Sequence, residues 1–562
     1  MNLRIKLVFI FFILFFLGII SRLFYWQIID GTTLADMGIA QYEGIVKQNP
    51  IRGEIETSDG FPIAANQISY LLYANPKLIT NNNEVSSLLG GALKMDTASI
   101  SAIVNNNSDK LWVEIANNID QNTKDKISSF NIPGVGFEQY SQRFYPEASM
   151  AATLLGFVGK DANGNNKGYF GLEGYYDDQL KGRVGQDVII RDAFGRPVYA
   201  KLSNNSVARD GRTLVLNVNR SIQFLVENAL KNGIEKYGAK GGSALVMDPK
   251  TGAVLAMANF PSFDEATYWK YNEKLYVNPM ISNVYEPGST FKPIVMSAAI
   301  DDHLITPTTQ CPICAGPVPV GGYLIHTWDD KYFPNTTMTD VLIHSDNTGM
   351  VFVAQKLGVN RMIDALNKFG IGELTGIDLQ GETYQSLNPP NLWYAADLAT
   401  TGFGQGVVVT PIELLDAISS IANKGVRMQP EVVKQIITSD GQVITIPPKE
   451  IDRTISPETA KIMTEMMVEV ANKGEASWAR LKGYRIAGKT GTASIPTNGK
   501  YDSNLTIASF IGFAPADNPK FAMLVILNKP TADIYGADTA APIFYEIAKD
   551  LFRYYNIPPS GN

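Results

Sequence analysis

The stretch EPGSTFKPIVMSAAI, residues 286–300, decides how this chain is read. After Pro287 and Gly288 an apolar run sets in, and Pro293 falls in the first turn of the helix it implies, where a missing amide hydrogen costs little. Ser289 and Lys292, three residues apart, then share one face, one turn from each other. A serine hydroxyl is a poor nucleophile near neutral pH and needs a neighbouring base, and a lysine stripped of water is neutral enough to serve. Ser289 and Lys292 are therefore a candidate nucleophile and base. Alone the pattern is weak, because serine is a common helix cap and a lysine one turn later is usually just solvated.

Two further segments change that. Ser345-Asp346-Asn347 lies between the helical stretches TTMTDVLIH and TGMVFVAQKLG. By itself it is a polar connection that caps the following helix. In a site, Ser345 relays a proton and the Asn347 amide holds a substrate carbonyl, with Asp346 turned away. Lys489-Thr490-Gly491-Thr492 stands just before a strand. Gly491 permits close backbone approach, and Lys489 with the two threonine hydroxyls suits a carboxylate, although alone this is only a glycine-bearing edge strand. The three elements, in this order, are those of penicillin-binding proteins and related lactamases.

Working outward, TLVLNVN from residue 213 reads as a strand and SIQFLVENALKNGIEKYG as an amphipathic helix. ALVMDPKTGAVLAMANF is a hairpin turning at Pro249 and Gly252, and SFIGFAPADNPKFAMLVILN repeats strand, turn and strand before the helical IFYEIAKDLFRYY. Strand pairs around a helical middle predict a central antiparallel sheet flanked by helices over residues 211–562. Residues 30–210 are polar and rich in Asn, Gly and Asp, and read as mixed strands and loops in which IRGEIETSDGFPIA, RFYP and GYFGLEGYYDDQLKG are turns with aromatic packing. The fold class is multi-domain α+β.

At the N-terminus, Arg4 and Lys6 precede an uncharged run from Leu7 to Ile20 that continues past Arg22 into LFYWQII. A helix over 7–29 spans about 35 Å at roughly 1.5 Å per residue, enough for a bilayer. Arg22 snorkels, Tyr25 and Trp26 suit the interfacial aromatic belt, and Arg4 and Lys6 keep residues 1–6 cytoplasmic. No small-x-small cleavage site follows, so an uncleaved anchor is expected, with everything after residue 30 outside. A net charge of −7 and a pI near 5.3 exclude a basic nucleic-acid footprint. Cys311 and Cys314 are the two cysteines, so no disulfide framework holds the chain. Followed by His326, Asp329 and Asp330 they invite a zinc reading, but two thiols do not make a site, and a local disulfide or free thiols are expected instead. His344, beside Ser345, is expected to pack rather than to act as base. No metal or cofactor is implied.

With these motifs the chain resembles class B penicillin-binding proteins over nearly its whole length. RGEIETSDGFPIA is similar to a family segment in which Thr57 and Ser58 replace an acidic and basic pair, and RFYP, GLEGYYDDQLKG, TGAVLAMANFPSFD and EPGSTFKP also look like family segments. The resemblance implies a transmembrane anchor at 7–29, a mixed α/β pedestal or dimerisation-type domain at 30–210, and a transpeptidase domain with β-lactamase-like fold at 211–562. It implies a D,D-transpeptidase in which Ser289 attacks the bond between terminal D-alanines, Lys292 takes its proton, and Ser345 with Lys489 protonates the leaving amine. The Ser289 and Thr492 amides would form the oxyanion hole, and Thr490 and Thr492 would hold the substrate carboxylate. Expected partners are peptidoglycan stem peptides, β-lactams, the membrane and a polytopic glycan polymerase of the division machinery. TGFGQGVVVTPIELLDAISSIANKG looks more like the division than the elongation type. Rival readings are a β-lactamase or carboxypeptidase, and a non-enzymatic scaffold or β-lactam sensor.

Overall fold

The computed structural model describes residues 3–191, 197–198, 207–497 and 500–559. Two compact units emerge, Met1–Ile51 with Lys181–Gly211, and Arg52–Leu180 with Arg212–Asn562.

In the first unit the apolar N-terminus forms a helix over Leu3–Phe24 that runs on through a π-helical turn at Tyr25–Ile29. Within the 27 residues Leu3–Ile29 an 18-residue stretch has a mean hydropathy of 2.7 and none of it is buried, so its apolar surface requires a non-aqueous surround. The Arg22 guanidinium lies 4.7 Å from the Trp26 ring centre and 5.6 Å from that of Tyr25, a cation held by the two aromatics expected at the interface. A helix at Gly31–Tyr42 follows, then a strand at Glu43–Gln48 antiparallel to Gly185–Arg191.

In the second unit the helices and strands that frame the site are α1 (Arg220–Tyr237), β1 (Gly241–Met247), β2 (Val254–Phe260), α2 (Lys292–Asp301), α3 (Asn347–Lys368), α4 (Pro411–Ala422), α5 (Pro457–Lys473), β3 (Ala487–Thr497), β4 (Lys500–Ala514), β5 (Phe521–Asn528) and α6 (Ala540–Tyr554). The five strands make an antiparallel sheet in the order β2-β1-β5-β4-β3. Side chains alternate across it. Ala244 and Val246 of β1 join a core with Val226 of α1 and Phe544 and Phe552 of α6, while Leu245 and Met247 join the opposite core with Phe291, Ile294 of α2 and Leu415 of α4. Both faces are covered, which is why these strands read as continuous apolar runs, and β3 is left as an edge.

A second sheet of seven strands mixes chain from both sides of residue 211. Thr213–Leu216 pairs in parallel with Ile55–Glu56 and antiparallel with Val433–Ile437, and Pro62–Ala74 pairs with Val113–Ile119 and Val135–Phe144. Three helices absent from the sequence reading lie here, at Asn82–Leu93, Thr97–Asn105 and Gln121–Ser128. Their N-caps Asn81, Asp96 and Asp120 each accept a backbone N–H; short polar helices opened by Asn and Asp carry the same composition as turns.

Of the segments expected to be turns with aromatic packing, the one at 168–182 does set Tyr169 and Phe170 against Phe157, and the segments are tied by charge as well. Glu173, wholly buried, accepts from Arg52 and Arg143 at 2.6 Å each, and Arg52 also reaches Asp177 at 2.8 Å. A buried carboxylate is stable only with such partners, and here two guanidiniums overcome the burial that would raise its pKa. The Thr57 hydroxyl closes its turn onto the Phe61 carbonyl at 3.2 Å, a local bond in place of a charge pair.

Candidate active site

Ser289 sits on a 3-10 turn, Gly288–Phe291, that leads into α2. Gly288 has φ +57° and donates its N–H to the Gly404 carbonyl at 2.9 Å, so the TGFGQG loop props the turn from behind. Gly404 itself has φ +79°, and a Cβ there would lie 2.1 Å from the Gly288 oxygen. The sequence carries no local signal of this support, because Gly404 and Gly288 lie in segments far apart along the chain.

Lys292 is wholly buried, and its Nζ reaches the Ser345 carbonyl at 2.6 Å, Asn347 Oδ1 at 2.9 Å and Ser345 Oγ at 3.3 Å. Ser345 Oγ in turn donates to Ser289 Oγ at 2.9 Å. Ser289 and Lys292 are thus linked through Ser345, a bridge that sequence spacing does not specify. Ser345 is held at φ +54°, a left-handed conformation uncommon for a residue with a Cβ, and that turn brings both its carbonyl and its hydroxyl to Lys292. Asp346 points away: its Oδ1 caps α3 by accepting from the N–H groups of Thr348 and Gly349. Asn347 also donates Nδ2–H to the His326 carbonyl at 3.0 Å, which fixes which amide atom faces the lysine.

Across the cleft, Lys489, Thr490, Gly491 and Thr492 lie on the edge strand β3. Gly491 allows the approach of the serine turn, since a Cβ would meet Ser509 Oγ at 2.5 Å and Thr290 Cγ2 at 2.8 Å. Lys489 is buried, 1% exposed, and donates to the Thr490 hydroxyl at 3.0 Å and carbonyl at 3.2 Å. Thr492 Oγ1 accepts the N–H of Gly536. Beside Gly536, Tyr535 packs edge-on against Trp328, centroids 5.5 Å apart, and Trp328 donates to the His344 carbonyl, so an aromatic pair bridges the two walls.

Burial dominates the electrostatics. It lowers the Lys292 ammonium to about 7, helped by the like charge of Lys489 and opposed by Asp346 and Glu475. Burial also lowers Lys489, again opposed by Glu475. A lysine near 7 exists in both forms at neutral pH, which a proton acceptor requires.

The remaining candidates separate from this group. Cys311 and Cys314 form a disulfide and are buried. His344 stacks on Phe333, centroids 4.3 Å apart, and His326 is turned to Asp330 and Tyr332. Among the described residues no group of three or more His, Cys, Asp or Glu is placed to hold a metal.

A serine bridged to a buried lysine, beside the edge of an antiparallel sheet, is the arrangement of the serine acyl-transferase class with β-lactamase-like architecture. Residues 242–549 match the penicillin binding protein transpeptidase domain and residues 47–216 the penicillin-binding protein dimerisation domain. The chain is 33% identical to Stage V sporulation protein D of Bacillus subtilis, covering all of this chain and 87% of that protein. It is 29% identical to peptidoglycan D,D-transpeptidase FtsI of Escherichia coli, covering 97% and 90%. The structure of penicillin binding protein 3 of Mycobacterium tuberculosis, complexed with ampicillin, superposes with a TM-score of 0.72 at 28% identity, covering 92% of this chain and 98% of that one. The chain belongs to the penicillin-binding protein family, as a class B transpeptidase of the septal type, with one apolar helix of membrane-spanning length among the described residues.

Proposed function

We propose that this protein is a D,D-transpeptidase that cross-links peptidoglycan stem peptides at the division septum through an acyl-enzyme on Ser289. The observation that carries the reading is the hydrogen-bonded series Ser289–Ser345–Lys292 with a wholly buried lysine at its end.

When Lys292 is neutral, its two N–H groups are taken by the Ser345 carbonyl and Asn347 Oδ1, and its lone pair is left facing Ser345 Oγ. The Ser345 hydroxyl then turns its hydrogen from Ser289 to that lone pair and accepts from Ser289, whose proton passes to Lys292 by way of Ser345 as Ser289 Oγ attacks the carbonyl between the donor's two terminal D-alanines. The Ser289 and Thr492 amides stabilise the oxyanion, a contribution of about 3 kcal/mol per donor in comparable acyl transfers. Ser345 with Lys489 returns a proton to the departing D-alanine nitrogen, the C–N bond breaks, and an ester remains on Ser289. An amine from a second stem peptide attacks the ester, its proton leaves along the same route, and Ser289 regains its hydroxyl. Lys489 and Thr492 hold the terminal carboxylate, Thr490 orients the Lys489 ammonium through its hydroxyl oxygen, Gly491 keeps the strand close, and Asn347 orients the substrate amide.

The same reading places the anchor at 7–29 with residues 1–6 cytoplasmic, the pedestal at 30–210 and the transpeptidase domain at 211–562 outside the membrane, and the division polymerase against the anchor and pedestal. A β-lactam imitates the dipeptide and acylates Ser289. The test is intact mass of the protein after incubation with benzylpenicillin, wild type against Ser289→Ala. One stable adduct on the wild type and none on the variant is expected. A folded wild type that stays unmodified overturns the reading, and fast release of hydrolysed drug turns it into a lactamase.

A further inference from the structure

Lys489 is a buried cation whose surroundings must do two things: keep its charge and aim it. Its Nζ donates to Thr490 Oγ1 at 3.0 Å, and Thr490 Oγ1 donates at 2.8 Å to Oε2 of Glu475, a residue of the loop between α5 and β3. A hydroxyl has one proton. Because Thr490 gives it to Glu475, its oxygen faces Lys489 as an acceptor, and the ammonium is oriented by a carboxylate it does not touch. We propose that Glu475 is the positioning residue of the Lys489 arm: it fixes the Thr490 hydroxyl and holds Lys489 as the ammonium that receives the substrate's terminal carboxylate.

This inference rests on the transpeptidase reading and adds to it a residue outside the three motifs. The electrostatics agree with the geometry. Burial lowers Lys489, and Glu475 is the influence acting against it; Glu475 also acts with Asp346 to hold Lys292 up against burial and Lys489. The carboxylate further lines a cavity of about 250 Å³. The other charged groups around that cavity are Asp346, whose Oδ1 is taken by the α3 cap, Lys473, paired with Glu469, and Lys331, paired with Asp329. His344 completes the titratable lining, and Asp538, ahead of α6, also feels Glu475. None of the lining pairs replaces the hydrogen bond that Thr490 makes with Glu475.

Removing the charge while keeping the shape therefore moves two titrations the same way. Neutral Lys292 is needed for attack and protonated Lys489 for carboxylate binding, and both lose a stabilising anion in Glu475→Gln. The acid and alkaline limbs of the acylation profile both shift to lower pH.

The experiment measures the second-order rate of benzylpenicillin acylation of the full-length protein in detergent from pH 6 to pH 9, for wild type, Glu475→Gln and Glu475→Asp. The ratio of Glu475→Gln to wild-type rates should fall by about tenfold or more across that range, as a displacement of one pH unit on a limb requires. Glu475→Asp, which keeps the charge, should stay closer to the wild-type profile. A pH-independent ratio, whatever its size, assigns Glu475 a merely structural part and overturns the inference while the acylating wild type leaves the transpeptidase reading intact. If Glu475→Gln does not fold, an Asp profile displaced to higher pH, or none acylating at any pH despite a native melting curve, overturns it as well. A wild type that is not acylated removes both.

Discussion

Ser345 shows how much of this site depends on the backbone of single residues. Its left-handed φ costs on the order of 1–3 kcal/mol, and the surrounding turn has to impose it, yet a relaxed serine would turn its carbonyl and hydroxyl from Lys292. Gly404 works on the other partner. At φ +79°, with the Gly288 oxygen 2.1 Å from where a Cβ would stand, it admits no side chain without moving the turn that carries Ser289. Gly404→Ala is expected to lower acylation by about a hundredfold, the usual result of a displacement near 1 Å in a reacting group, together with a lower melting temperature. Acylation rates and a thermal melt of the same preparation check this; wild-type rates in the variant would show that Gly404 does not set the nucleophile.

Among the elements, α4 has chemistry that runs against its surroundings. Every residue from Pro411 to Ala422 is buried, and one of them is Asp416, 3.4 Å from Arg427. Burial pushes the Asp416 carboxyl up to about 7, with Arg427 pulling the other way. The folded value thus lies above the unfolded one, so the native state binds the proton more tightly, and stability from this group is full at low pH and declines as pH rises through about 7. Arg427→Met strands the carboxylate and raises that value further. The expected cost is about 3–5 kcal/mol at pH 8, where the group must bury a charge or take up a proton, and clearly less at pH 5. Urea unfolding at both pH values measures it, and an equal loss at the two would mean Asp416 is not the cause. The helix caps Asn81, Asp96 and Asp120 and the Glu173 ion pairs belong to this scale too, since each decides whether a polar stretch becomes an element or a turn.

For the whole molecule the anchor has a plain consequence. A helix of 27 residues with no buried side chain, in which an 18-residue stretch has a mean hydropathy of 2.7, holds the chain in a bilayer by apolar area, not by charge. The full-length protein should stay with the membrane pellet through alkaline carbonate and high salt and enter solution only with detergent. Release by carbonate alone would demote the helix to a peripheral contact.

Much of this was legible beforehand, and the reason differs by feature. The anchor, the hairpin at Pro249 and Gly252, the strand pair ending in LVILN and the amphipathic α1 are local: their periodicity and turn residues lie within one stretch, so the sequence by itself determined them. Ser289, Lys292, Ser345, Asn347 and Lys489 were recognisable because their residue types and order are unusual together. Three things needed the tertiary structure. Ser345 as the bridge between Ser289 and Lys292, Gly404 behind the serine turn, and Glu475 beneath Thr490 are contacts between residues 15 to 116 positions apart, made only when separate loops meet. The same holds for Glu173 with Arg52 and Arg143, where isolated segments look like ordinary turns until burial forces their charges to pair. Local pattern specifies what each segment can form; which polar groups must satisfy one another is decided only by the packing that takes them out of water.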